Sequence, residues 1–130
     1  MKFIIGILVV SLFFLYIYLA LPSMEEGACN EYLEFSKLEL NGVVIAKYFD
    51  SMQHSYPTVI IKNIDSAKLI TLNLVNDTSN SYLSIIVDDA IYKPKNQIEI
   101  MVKRKGGNSF TKKIDFGCKE NILQKIKLNR

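Results

Sequence analysis

Two cysteines, one histidine and a cluster of basic residues are the side chains of this 130-residue chain with the most chemistry to offer. Cys29 and Cys118 are the only thiols. Joined in an oxidising compartment, they would close a loop of roughly 90 residues, which chain entropy values at about 4–5 kcal/mol. Free thiols are the alternative, and so is modification of Cys29. His54 lies in Phe49-Asp50-Ser51-Met52-Gln53-His54-Ser55-Tyr56-Pro57, where Asp50, Ser51 and His54 could supply a nucleophile and a base. The same residue types are those that a turn between strands uses, and the turn is the expectation. One histidine and two distant cysteines match no usual metal-ligand spacing, so no metal site is expected. Asp88 and Asp89 are adjacent, and on a strand they would face opposite ways, which excludes a proton-sharing pair. No catalytic residue and no cofactor is assigned.

The basic residues are unevenly placed. From Pro22 to Asp89 ten acids face four bases, whereas from Ala90 to Arg130 eleven bases face three acids. Lys103, Arg104, Lys105, Lys112 and Lys113 would cluster at one hairpin tip and form a candidate partner-binding patch for an anionic lipid, a polysaccharide or an acidic protein. The competing reading is that acidic and basic strands neutralise one another across a sheet while lysines guard its edge. Nucleic acid is not an expected partner, because no aromatic residues are interleaved with the bases as stacking platforms.

These residues must be carried by something, and the chain begins with nineteen uncharged residues from Phe3 to Leu21. As a helix they would extend roughly 28 Å, close to the hydrocarbon thickness of a bilayer. The run is longer than the usual signal-peptide core and the residues near its end suit cleavage poorly, so residues 1–22 are expected to remain as a transmembrane signal anchor. Lys2 before the run, and Glu25 and Glu26 after it, favour a cytoplasmic N-terminus and an extracytoplasmic, periplasmic domain. Gly27-Ala28-Cys29 looks like the end of a lipobox, although Glu26 stands where an aliphatic residue belongs.

Residues 23–31 read as a polar stalk, and 32–130 as one exported domain. Short runs rich in Ile, Val, Thr and aromatics at 42–49, 58–61, 69–75, 82–87, 97–105 and 109–116 predict strands. Ile98, Ile100 and Val102 alternate with Glu99, Met101 and Lys103 before Gly106-Gly107-Asn108, the clearest hairpin signal. Lys112 interrupts the apolar face of the last run, which suggests an edge. Six strands and no tryptophan predict an all-β fold, a small barrel of OB or SH3-like size, closed or nearly so. The tail from Glu120 to Arg130 fits a strand or a helix face and is expected to be a strand or an extension.

Two resemblances bear on function. Leu21-Pro22-Ser23-Met24 and Met101-Val102-Lys103-Arg104 look like the serine and lysine motifs of bacterial signal peptidases, which imply a Ser-Lys peptidase. Here Glu25-Glu26 replace the family's proline-containing continuation and its Gly-Asp boxes are absent. More of the domain resembles small uncharacterised exported proteins of Bacteroidota-type bacteria. Gly42-Val43-Val44, Lys47-Tyr48, Asp50, His54, Pro57-Thr58, Asp89-Ala90-Ile91-Tyr92-Lys93 and Asp115-Phe116-Gly117-Cys118 carry this likeness. It implies one N-terminal hydrophobic segment, a compact β domain and no particular activity.

The combined expectation is a non-enzymatic, membrane-anchored binding or assembly module of the bacterial envelope. Its partner would be another envelope protein or an anionic envelope component. The first alternative is an exported inhibitor or immunity-type protein that binds a secreted enzyme.

Overall fold

Lys2–Ala20 form helix α1 in the computed structural model, which describes residues 2–21 and 23–128. The helix is apolar on every side and is long enough to cross a membrane. Phe14 and Leu19 are 65% and 74% exposed, so among the described residues no protein core receives this surface. Pro22, the expected end of the anchor, lies outside the described residues, as do the last two residues of the expected domain.

Helix α2, Met24–Lys37, starts where Ser23 caps it. The Ser23 hydroxyl accepts from the Glu26 amide, while Glu26 reaches back to the Ser23 amide. Glu25 and Glu26 in the first turn and Lys37 in the last complement the helix dipole. The stretch expected as a stalk is therefore the first half of a domain helix, and its Cys29 is fully buried.

Six strands follow: β1 (Leu40–Asp50), β2 (Tyr56–Asn63), β3 (Leu69–Asn73), β4 (Ala90–Lys93), β5 (Glu99–Lys103) and β6 (Ser109–Lys113). They form one antiparallel sheet in the order β3-β2-β1-β4-β5-β6. The central strand β1 bulges between Val44 and Ala46, a feature that bends a strand and increases its twist. Gly42 lies opposite Asn63 and Ile91, and a Cβ there would stand 2.5 Å from the Lys62 carbonyl oxygen.

Alternation sends Val44, Val59, Ile61, Leu72, Ile91, Ile100 and Val102 into a core shared with Phe35 of α2 and Phe116. The Phe35 and Phe116 rings lie 5.5 Å apart. Helix α2 thus covers one face of the sheet, and an isolated sheet face needs such a layer.

The expected barrel is corrected by the edges, because β3 and β6 do not pair. Loops bridge them instead. The Thr78 amide and hydroxyl donate to the Asp115 carbonyl oxygen at 2.7 and 3.0 Å. The expected strand at 82–87 is also absent: Ser81–Ser84 form a short helix α3, and Ile85 alone of the following apolar triplet enters the core. The fourth strand begins later, at Ala90. The tail is helix α4, Glu120–Leu128, with Ile122, Leu123 and Ile126 half-buried. The fold is therefore an open six-stranded sheet with helices.

Candidate functional site

The basic cluster is divided by the hairpin that carries it. The β5–β6 register places Glu99 opposite Lys113, Met101 opposite Thr111 and Lys103 opposite Ser109. Lys103 and Lys113 consequently share the outer sheet face, four residues apart along the strand direction, with a carboxylate beside Lys113. Lys112 stands opposite buried Ile100 on the inner side and is half-buried at the edge strand. Lys105 is exposed in the turn.

Arg104 is half-exposed, and its guanidinium reaches back onto the fold. One guanidinium nitrogen donates to the Ser84 carbonyl oxygen at 3.0 Å, and the group lies 5.4 Å from the Phe110 ring centroid. Its Nε stands 3.7 Å from Asp89 Oδ1. This is an ion-pair contact without a hydrogen bond; buried Asp89 accepts the Ile86 amide at 2.9 Å. Asp88 is exposed with a positive φ of 71°, so the adjacent carboxylates have separate environments. Arg104 with Asp89, and Lys119 with Glu25, join the acidic and basic halves of the chain.

Beside this hairpin, the outer face exposes an apolar pair. Tyr92 and Met101 are cross-strand partners, 48% and 50% exposed. Val43 and Ala90 are neighbours in the next row, between Lys62 and Lys103. Val43 and Ala90, with Asp88, Lys103, Arg104 and Lys105 around them, line an open depression of about 490 Å³. The arrangement offers contact area and cationic side chains at its margin, which is chemistry for binding.

The other sequence candidates occupy structural positions. Cys29 and Cys118 form a disulfide that fixes α2 to the segment entering α4. Asp50 accepts the Met52 amide at 3.0 Å, and exposed His54 has a left-handed φ of 54°, as a turn requires. Ser23 is occupied as the cap of α2, whereas Lys103 is exposed on β5. Among the described residues no group of three His, Cys, Asp or Glu side chains could hold a metal ion.

Two polar sites were not singled out by sequence reasoning. Lys93 is fully buried on β4. Its ammonium donates to the carbonyl oxygens of Ser36 at 3.1 Å, Leu38, and Pro94 at 3.3 Å, and lies 4.8 Å from the Phe35 ring centroid. Burial pushes its pKa down, and the charge of Glu39 opposes that. The signal was its alternation with inward-facing Ile91.

Asp77 is the second site, accepting from the amides of Ser79, Ser81 and Asp115 and from the Ser79 hydroxyl. Burial raises its pKa, but these hydrogen bonds together outweigh burial and leave it below the usual value. An Asp two residues past the run at 69–75, followed by Thr-Ser-Asn-Ser, was the available cue for such a turn.

No family model, curated protein or solved structure matches this chain.

Proposed function

We propose that the chain is a membrane-anchored binding or assembly module whose domain lies on the extracytoplasmic side and performs no catalysis. The exposed Tyr92–Met101 pair on the sheet face opposite α2 is the observation that carries this reading. Exposed apolar area bordered by charge is typical of a protein-contact surface. Three further features support it. Helix α1 is long enough to span a bilayer, the disulfide suits an oxidising compartment, and α2 starts close after α1, which would hold the domain near the membrane.

The partner is an envelope protein, and Lys103 and Lys113 favour an acidic surface around its contact. A photo-crosslinking amino acid at position 92 or 101 in the membrane-embedded chain tests the reading. Adducts with one membrane protein are expected, absent when residues 1–22 are removed and weakened by Lys103→Glu. Labelling no stronger than from a probe at exposed Lys125 would overturn it.

A further inference from the structure

The two edges of the sheet are protected differently. Strand β6 ends in Lys112-Lys113, and edge lysines discourage pairing with another strand. Strand β3 reads Leu69-Ile70-Thr71-Leu72-Asn73, without charge or proline.

Antiparallel pairing alternates residues bonded to the neighbouring strand with residues whose backbone groups point outward. Bonds from the Leu74 amide to the Pro57 carbonyl and from the Asn63 amide to the Lys68 carbonyl, both 2.9 Å, bracket the β2–β3 ladder. The register between them is unbroken, with Val59 opposite Leu72 and Ile61 opposite Ile70. Residues 68, 70, 72 and 74 therefore bond to β2. The N–H and C=O groups of Leu69, Thr71 and Asn73 face the open edge, a template for one more strand.

A groove of about 460 Å³ runs between this edge and α2. Phe35, Leu38, Leu72 and Phe116 provide its apolar lining, and Glu31 and Glu34 stand on its helical wall. Glu31 accepts from Asn76 at 2.7 Å and Glu34 pairs with Lys37 at 2.8 Å. A carboxylate has about four acceptor positions, so a cation can join these contacts.

We propose that this groove binds an extended segment of a partner protein by strand addition to β3. Alternate apolar side chains of the segment enter the cleft, and a Lys or Arg lies beside Glu31 and Glu34. Main-chain bonds to β3 supply affinity, while the cleft and its carboxylates supply selectivity. The assignment rests on the reading of the domain as a binding module but uses a surface other than the Tyr92–Met101 face.

The test selects random-sequence heptapeptides against the full chain in nanodiscs with its disulfide intact. Selected peptides should alternate apolar residues and contain Lys or Arg. Two synthetic versions of a selected peptide, N-methylated at odd or at even residues, then report the geometry. Strand addition predicts that one series binds at least tenfold more weakly while the other retains affinity, because only alternate residues bond to the edge. Thr71→Pro, which removes an outward amide and no bond to β2, should weaken binding at least tenfold, and Glu34→Lys should weaken it several-fold.

No selected peptide, or equal affinity of the two methylated series, would overturn the proposal. The methylated pair decides it even where Thr71→Pro fails to fold. Peptide binding by a Tyr92→Ala, Met101→Ala chain keeps this outcome separate from that of the crosslinking experiment.

Discussion

Lys93 Nζ stands 3.1 Å from the carbonyl oxygen of Ser36, so a side chain from the middle of the sheet closes the end of the helix that covers it. The last carbonyls of a helix have no partner within it, and here a buried cation satisfies two of them, those of Ser36 and Leu38. Packing and capping are thereby joined in one residue.

Lys93→Ala should destabilise the domain by about 3 kcal/mol, from the cavity and from the Leu38 and Pro94 carbonyls that lose their donor, whereas the Ser36 carbonyl keeps the Asn96 amide at 2.7 Å. Lys93→Met, which keeps the stem, should lose less. The folded pKa lies below the unfolded value of 10.5, so the unfolded chain holds the proton more tightly. The cost of burying the charge is fully present below the folded pKa and disappears as pH rises toward 10.5. Denaturation curves of the parent and Lys93→Met chains across the alkaline range should therefore diverge, with only the parent gaining this contribution.

The disulfide links residues 89 positions apart. Chain entropy predicts a loss of about 4–5 kcal/mol when it is removed. Urea unfolding of a Cys29→Ser, Cys118→Ser chain against the oxidised parent checks this. The buried Cys29 site makes the double variant a sterner perturbation than the loop-closure term alone, and reduction of the parent provides the companion measurement.

The sequence made the central strands and the β5–β6 hairpin legible because period-two alternation there coincides with one buried face, as in Ile98, Ile100 and Val102. It misplaced the fourth strand because Ile85-Ile86-Val87 has strand composition, while Asp77 organises the turn into α3 and Asp89 takes the Ile86 amide. Alternation also left closure undecided, since the same pattern serves a barrel and a sheet covered by a helix. Phe35, on a helix whose first half composition presented as a stalk, determines the difference. The basic cluster was legible as charge but not as direction: Arg104 follows Lys103 in sequence and turns toward Asp89.

That division of roles is measurable. Arg104→Ala should cost about 2–3 kcal/mol, because the buried Asp89 carboxylate loses its cation and Ser84 its donor. Lys103→Ala and Lys105→Ala should each stay within about 0.5 kcal/mol of the parent. Chemical denaturation of the three variants distinguishes this from an evenly exposed patch, in which all three would be near neutral.

Asp77 predicts the acid limb. Its folded pKa is below the unfolded value of 3.8, the hydrogen bonds having outweighed burial, so its contribution is present above that value and is lost as pH falls through the folded pKa. Asp77→Ala should lower stability by about 2 kcal/mol at neutral pH through the loss of bonds to a charged acceptor. The difference between parent and variant should shrink below about pH 4. A constant difference down to pH 2 would show that the lost bonds do not depend on ionisation.

Gly42 gives the sharpest steric test. A methyl group there would stand 2.5 Å from the Lys62 carbonyl oxygen and 2.6 Å from the Ile61 Cγ2 methyl group, and the closer obstacle is backbone. The side chain can shift at modest cost, but relief at the carbonyl requires β1 and β2 to separate where their ladder also fixes Val43 opposite Lys62. Gly42→Ala should therefore destabilise by about 2–3 kcal/mol, the scale of overpacking in a filled core. Faster amide exchange should accompany it at Val43 and Lys62, while exchange at Ile100 and Val102, two strands away, stays close to that of the parent. A uniform change across all six strands would instead assign the effect to global stability, with no local parting of the pair.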